Sequence, residues 1–148
     1  MSNGLEPIVI VMIEDDEGHA RLIEKNIRRA GVTNAMVPFT TGLKALSYLL
    51  GPDASGKVHA GKHLLILLDL NLPDMIGIDI LARLRESEHL RHVMVIVLTT
   101  TDDPAEIRRC YDLGANAYVA KPMQYDKFVD AIQQLGMFLS VVTVPEVS

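Results

Sequence analysis

Residues 63–73 read HLLILLDLNLP, a continuous apolar run that ends in a carboxylate and a turn signal. A run of this length without polar alternation predicts a strand that is buried on both faces, as in a parallel sheet. In open α/β sheets, ligands bind at the carboxyl ends of the strands. Asp69 directly follows the run, and we therefore expect its side chain to serve chemistry rather than packing.

Three further apolar runs also end in polar residues. The run at 8–13 is followed by Glu14, Asp15 and Asp16, the run at 93–98 by Thr99, and the run at 117–120 by Lys121. The carboxyl ends of parallel strands lie at one edge of a sheet. We therefore expect these polar groups to meet there, except Asp16, which is placed to cap the following helix.

Strand-like and helix-like segments alternate along the whole chain. This alternation predicts an α/β fold, doubly wound, with a five-stranded parallel sheet, helices on both faces and right-handed crossovers. The predicted strands are 8–13, 35–39, 64–68, 93–98 and 117–120. The first predicted helix ends at Gly31, and the other four cover 43–50, Ile78 to Leu84, 104–113 and the segment that begins at 125. Residues 51–63 form a polar, glycine-rich loop of unusual length, in or near which we expect His59 and His63 to be solvated.

Composition limits the function classes. The chain has 148 residues, 49% of them hydrophobic, which fits one domain with a sizeable core. A net charge of -5 argues against a nucleic-acid partner. No signal peptide or membrane-spanning run is recognisable, and a single cysteine, Cys110, is consistent with a reducing compartment. We expect a cytoplasmic protein without a membrane or nucleic-acid partner.

The polar groups at the predicted sheet edge form a set with a chemical meaning. Glu14, Asp15 and Asp69 would repel one another unless a cation compensates them, and oxygen ligands in this number suit Mg²⁺. Lys121 adds a positive charge and Thr99 a hydroxyl donor. Together these are the parts needed for phosphoryl transfer to a carboxylate.

The bond between Lys121 and Pro122 is a candidate for a cis peptide. Bonds that precede proline lose most of the usual preference for the trans form. A cis bond at this point would aim the Lys121 ammonium back over the carboxylates.

Four motifs carry a family resemblance. The strings IEDDE, DLNLPDMIG, VLTT and YVAKP, in this order and spacing, resemble the receiver domain of two-component response regulators, over about residues 7–138. The resemblance implies a flavodoxin-like receiver fold with the strand order 2-1-3-4-5. It also implies a protein that accepts a phosphoryl group from a sensor histidine kinase and signals through protein–protein contacts.

The resemblance also assigns roles in metal binding and phosphorylation. It implies that Asp69 is the phosphoacceptor and that Asp15 is a direct Mg²⁺ ligand. Asp69 and the backbone carbonyl of Asn71 would complete the metal site, and Glu14 would hold a metal-bound water.

Phosphate binding and switching follow from the same comparison. Thr99 and Lys121 would bind phosphate oxygens, and Tyr118 would change rotamer as Thr99 is pulled inward. The family often has a small residue after the switch threonine, whereas this chain has Thr100, which narrows access to Asp69. Such a protein catalyses only its own phosphorylation and dephosphorylation and is a signal transducer rather than an enzyme.

A narrower resemblance concerns the loop 51–63 and the tail. Together with DLNLP and VLTT, they resemble the small response regulators paired with bacterial and cyanobacterial phytochrome kinases. We expect a receiver domain at 1–138 and a C-terminal extension at 139–148. In that subgroup the extension contributes to homodimers. From composition alone, a docked or frayed end and a dimer arm are equally good interpretations of this apolar tail, and the resemblance favours the arm for 139–145.

Three other functions are weighed against this one. A metal-dependent phosphatase that uses an aspartyl phosphate typically carries a second acid two residues after the nucleophile, where this chain has Asn71. A pseudo-receiver that is never phosphorylated usually lacks the acidic pair, the aspartate or the lysine, all of which are present here. A DNA-binding regulator would need an appended domain, for which we expect no room after the last helix.

Overall fold

The computed structural model describes residues 7–100, 102–121 and 124–148. Its sheet has five strands: β1 (Ile8–Ile13), β2 (Met36–Phe39), β3 (His63–Leu68), β4 (Met94–Thr99) and β5 (Ala117–Ala120). The strands are ordered β2-β1-β3-β4-β5, and all four pairings are parallel. The fold class and strand order expected from the sequence are confirmed.

The described residues form five α-helices, which cover the two faces of this sheet. They are α1 (Glu17–Arg29), α2 (Gly42–Leu50), α3 (Gly77–Glu86), α4 (Pro104–Asp112) and α5 (Tyr125–Leu139). Buried side chains of α2, α3 and α4 pack against one face, and those of α1 and α5 pack against the other. None of the helices in the described ranges has the length and hydropathy needed to cross a membrane.

The apolar run of β3 is explained by its central position. Leu64, Ile66 and Leu68 belong to the core beneath α2 and α3, whereas Leu65 and Leu67 belong to the core beneath α1 and α5. Successive side chains of a strand point to opposite faces, and both faces of this strand are covered. The five positions from Leu64 to Leu68 are therefore all apolar and buried.

Side chains cap the starts of α1 and α4, as the sequence predicts for α1. The Asp16 carboxylate accepts a hydrogen bond of 2.9 Å from the backbone N–H of His19, which confirms its role as a cap. Asp103 caps α4 in the same way through the N–H of Ala105. Such caps satisfy amides that have no partner within the helix.

The loop at 51–63 is folded onto the domain, and the prediction of a solvated His59 is wrong. A 3₁₀ turn at Lys57–His59 buries the His59 side chain to 3% exposure. Its Nε2 atom lies 2.8 Å from the carbonyl oxygen of Tyr48, and its ring packs against the Tyr48 ring. Burial lowers the pKa of His59, so this side chain belongs to the core in its neutral form.

The tail after α5 packs on its own chain. Val144 and Val147 are buried, and they join the two cores on opposite faces of the sheet. The N–H of Val147 donates to the carbonyl of Lys62 over 2.8 Å, and the Val147 carbonyl accepts from the N–H of Gly61 over 2.9 Å. His63 lies against the same segment through Nδ1 and the Val144 carbonyl. This arrangement favours the docked interpretation of the tail, and the dimer arm stays a prediction.

The docking of the tail predicts unequal effects for two valines within it. Val147→Ala should lower the free energy of unfolding by about 1–3 kcal/mol, because it removes two buried methyl groups and leaves a cavity. Val141→Ala is the matched control, since Val141 is 78% exposed, and it should change stability by less than about 0.5 kcal/mol. Urea denaturation measures both. Equal effects of the two substitutions would contradict a docked tail.

Candidate functional site

The four strand-end groups meet at the carboxyl edge of the sheet. β1 delivers Glu14, β3 Asp69, β4 Thr99 and β5 Lys121, and all four side chains are buried. Asp15 lies beside them and is exposed. The parallel topology is the reason for this convergence, because the carboxyl ends of these strands lie on the same side of the sheet.

A buried lysine lies between two of the carboxylates. The Lys121 ammonium forms an ion pair with Glu14 and donates a hydrogen bond of 3.0 Å to Asp69 Oδ2. The backbone N–H of Lys121 also donates to the Thr99 carbonyl over 2.7 Å, which fixes the start of this side chain. The trans or cis state of the bond to Pro122 lies outside the described residues.

The electrostatics of the cluster are not balanced by Lys121 alone. Burial raises the pKa of Glu14 to about 8, and the neighbouring Asp69 acts in the same direction while Lys121 opposes it. The two buried carboxyl groups therefore share one ammonium, and the exposed carboxyl group of Asp15 lies beside them. An additional cation would favour the charged form of the carboxylates.

The donor set fits a hard divalent cation. Glu14, Asp15 and Asp69 each offer a carboxylate oxygen, and these oxygens lie within 4.8 Å of one another. A group made only of oxygen ligands suits Mg²⁺ or a similar ion rather than zinc, which favours cysteine and histidine. The residues present can thus hold the metal that the sequence predicts.

Asn71 connects the loops that follow β3 and β4. Its backbone N–H donates to Asp69 Oδ1 over 2.9 Å. Its side-chain amide donates to the Thr99 and Thr100 hydroxyl oxygens, each over 3.2 Å. The resemblance implied a role only for the backbone carbonyl of Asn71. The contacts of its amide were not predicted, because motif spacing does not reveal which neighbouring loop a side chain reaches.

The loop after Asp69 is a tight turn. Asn71 and Ile76 form an isolated antiparallel bridge, and the N–H of Gly77 donates to the Leu70 carbonyl over 3.0 Å. A Cβ atom on Gly77 would lie 2.5 Å from Leu70 Cα and 2.8 Å from the Asp69 carbonyl oxygen. Only glycine allows the turn to close this tightly beneath Asp69.

Tyr118 lies on the same face of the sheet as Thr99, as it must if its rotamer is to respond to movement of Thr99. It is paired in register with Val97 of β4, and Thr99 is two residues further along that strand. Residues two apart in a strand, and residues opposite each other in neighbouring strands, share a face. Burial, with Glu106 and other acidic groups nearby, raises the pKa of Tyr118 to about 12, so its phenol is neutral at ordinary pH.

A largely apolar groove opens beside this site, between the starts of α1 and α5. Leu22, Tyr125 and Phe128 line it, and it reaches Thr100 and Lys121 at its inner end. A partner seated in the groove would therefore approach the buried cluster directly.

Comparisons with known proteins agree with this geometry. The family model described as the response regulator receiver domain matches residues 10–133. The response regulator Rcp1 of Synechocystis is 29% identical over 141 residues, which cover 94% of this chain and 94% of that protein. Its solved Mn²⁺-bound form is 27% identical, with a TM-score of 0.81 and coverage of 94% and 99%.

Two further solved structures are similar over nearly the full length. A response regulator receiver domain from Rhodospirillum rubrum is 63% identical, with a TM-score of 0.92, and the match covers 95% of this chain and 99% of that one. The phosphorylated cyanobacterial phytochrome response regulator RcpA is 29% identical, with a TM-score of 0.81 and coverage of 96% and 100%.

The tight turn beneath Asp69 predicts a strong effect of one added methyl group. Gly77→Ala should lower the free energy of unfolding by about 1–3 kcal/mol, because the new Cβ would clash with backbone atoms, and these cannot move without distorting the turn. Gly31→Ala is the control, since Gly31 has a positive φ of 92° but nothing within 4 Å of the added atom. Urea denaturation should show the larger loss for Gly77→Ala. A larger loss for Gly31→Ala would show that backbone strain, not the close approach, dominates.

Proposed function

The chain belongs to the response regulator receiver domain family, and from this premise we propose that it is a signalling protein switched by phosphorylation of Asp69. The observation that carries the proposal is the position of Asp69 at the centre of the buried cluster. Its two carboxylate oxygens are held by the Asn71 N–H and the Lys121 ammonium, and Glu14 and Asp15 lie beside it.

The donor of the phosphoryl group is a phosphohistidine of a sensor histidine kinase. A carboxylate oxygen of Asp69 attacks the phosphorus, the new O–P bond forms as the P–N bond breaks, and the electron pair returns to the imidazole. Lys121 places a fixed positive charge beside the transferring oxygens, and Thr99 offers its hydroxyl as a donor. Such preorganised charge lowers the barrier of phosphoryl transfer.

The cofactor that we propose is Mg²⁺, which Asp15, Asp69 and the backbone carbonyl of Asn71 would hold, with Glu14 acting through a water. When bound there, the ion would supply positive charge that stabilises the oxygens of the phosphoryl group. The all-oxygen donor set and the Mn²⁺-bound form of Rcp1 support a divalent cation at this site.

Phosphorylation alters the hydrogen bonds of Thr99. An aspartyl phosphate carries about two negative charges in place of the single charge of the carboxylate, and it brings new acceptor oxygens. The Thr99 hydroxyl, which accepts from the Asn71 amide over 3.2 Å, then donates to the phosphate and moves inward. Space opens for Tyr118 to turn towards the core, which changes the surface formed by α4 and β5.

The kinase partner is a phytochrome-type histidine kinase, and the protein acts in the cytoplasm. Relatives described as phytochrome or bacteriophytochrome response regulators support this link. The groove lined by Leu22, Tyr125 and Phe128 suits the apolar face of a kinase helix, which would present the phosphohistidine to Asp69.

The protein signals as a homodimer through the end of α5 and the extension at 139–148, which follows the receiver domain at 1–138. Met137, Phe138 and Val141 are exposed large apolar side chains at this end. Exposed apolar patches commonly mark interaction sites.

Two of the three rival functions, the phosphatase and the pseudo-receiver, have less support from the contacts of the cluster. A phosphatase of this type needs a general acid at position 71, and the amide N–H groups of Asn71 are too weakly acidic for that role. The amide is instead hydrogen-bonded to Thr99 and Thr100. A pseudo-receiver would not require the buried combination of Glu14, Asp69 and Lys121, which is costly unless it serves a function. Signal transduction, with no external substrate turned over, remains the proposal.

Phosphorylation is tested by intact mass after incubation with Mg²⁺ and acetyl phosphate. The parent protein should gain one phosphate, and Asp69→Asn should gain none. Asp79→Asn is the matched control, because it removes an exposed carboxylate from the first turn of α3 and should be phosphorylated like the parent. If the parent protein gained no phosphate and also failed to bind beryllofluoride, the result would contradict the proposal and favour a pseudo-receiver.

The threonine next to the switch residue should limit access to Asp69. Thr100→Ala removes the hydroxyl that accepts from Asn71 and should speed phosphorylation by acetyl phosphate about three- to tenfold, corresponding to about 0.7–1.4 kcal/mol in the barrier. Thr100→Ser keeps the hydroxyl and serves as the control for the hydrogen bond. An unchanged rate in the alanine variant would show that Thr100 does not restrict the site.

The proposed dimer surface is tested by a charge at the end of α5. Phe138→Glu should convert the dimer into a monomer in light-scattering measurements of the phosphorylated protein, because a buried unpaired charge opposes association. Leu43→Glu is the control, since Leu43 is also exposed but lies on α2. A monomeric parent, or a dimer that survives Phe138→Glu, would contradict this surface.

A further inference from the structure

Asp74 connects the loop after Asp69 to a helix that is distant in sequence. Its Oδ1 accepts a hydrogen bond of 2.8 Å from the N–H of Gly42, and its Oδ2 accepts one of 2.9 Å from the N–H of Leu43. These two amides begin α2. Both carboxylate oxygens are thus used on one helix N-terminus, where negative charge is favoured.

The helix does not need Asp74 in order to begin. Thr41 is its local cap, and the Thr41 hydroxyl accepts from the N–H of Lys44 over 3.3 Å. The carboxylate comes instead from a residue 32 positions later in the chain. A bond of this kind fixes two elements relative to each other, in addition to satisfying amides.

Close packing accompanies the two hydrogen bonds. A Cβ atom on Gly42 would lie 2.6 Å from the sulfur of Met75, so the glycine at the start of α2 lets the loop approach. The base of the same loop is closed by the bridge between Asn71 and Ile76. The turn is therefore held at its base by its own backbone and at its tip by α2.

We infer that Asp74 is a positioning residue for the metal site, which holds the tip of the loop 70–77 on α2 and thereby orients Asn71 and Asp69. The inference rests on the proposed function, because it concerns the same divalent cation. The two N–H donors also lower the pKa of Asp74, which favours the charged form of its carboxylate.

The test measures binding of Mn²⁺ alone, by the loss of the free-ion electron spin resonance signal. Asp74→Ala should weaken Mn²⁺ binding about tenfold, the lower end of the effects found for groups that orient metal ligands. Asp74→Asn, which keeps one acceptor oxygen and the side-chain shape, should recover part of the affinity. Amide hydrogen exchange at Gly42 and Leu43 should become faster in the alanine variant.

Two matched controls separate positioning from other effects. Thr41→Ala removes the local cap of the same helix and should leave Mn²⁺ affinity within twofold of the parent. Asp79→Asn removes one exposed negative charge from the start of α3 and should do the same. Parental affinity in Asp74→Ala, or an equal loss in either control, would overturn the positioning role.

The proposed function and this inference fail in different ways. A parent protein that neither binds Mn²⁺ nor accepts phosphate would overturn both. A parent that does both, with Asp74→Ala unchanged in Mn²⁺ affinity, would overturn the role of Asp74 alone. A tenfold loss confined to the Asp74 variants would establish it.

Discussion

The buried charges at the carboxyl edge of the sheet impose the strongest constraint on this molecule. Glu14, Asp69 and Lys121 are each no more than 6% exposed, and burial of such charges is costly unless they are paired. They can pair only where β1, β3 and β5 end together, which the parallel order of the sheet ensures. Burial of the apolar side chains of the strands provides folding free energy that offsets the cost of burying these charges.

The loop after β3 is held in place by contacts that position the residues of the cluster. Gly77 lets the turn close beneath Asp69, Asn71 links it to Thr99 and Thr100, and Asp74 attaches its tip to α2. Each contact restricts a different part of the loop. The proposed binding of a cation and acceptance of a phosphoryl group would need such restriction, because small displacements of ligands reduce both binding and reactivity.

Sequence patterns predicted the regular elements well, since uninterrupted apolar runs and helical spacing are local signals. The predicted bounds of 8–13 and 117–120 match β1 and β5, and Asp16 caps α1 as expected. The loop at 51–63 was harder. Its polar composition indicated solvent exposure, yet His59 is buried against Tyr48, because a tertiary partner satisfies one of its ring nitrogens.

The sequence by itself determined the fold class and which polar residues follow each strand, because an apolar run and the polar residue that ends it are adjacent in the chain. The tertiary structure alone decided which side chains touch. It placed Lys121 between Glu14 and Asp69 and laid Val147 against Gly61 and Lys62. Hydrogen bonds and ion pairs between residues far apart in the chain depend on how loops and helices dock, and no local pattern encodes that docking.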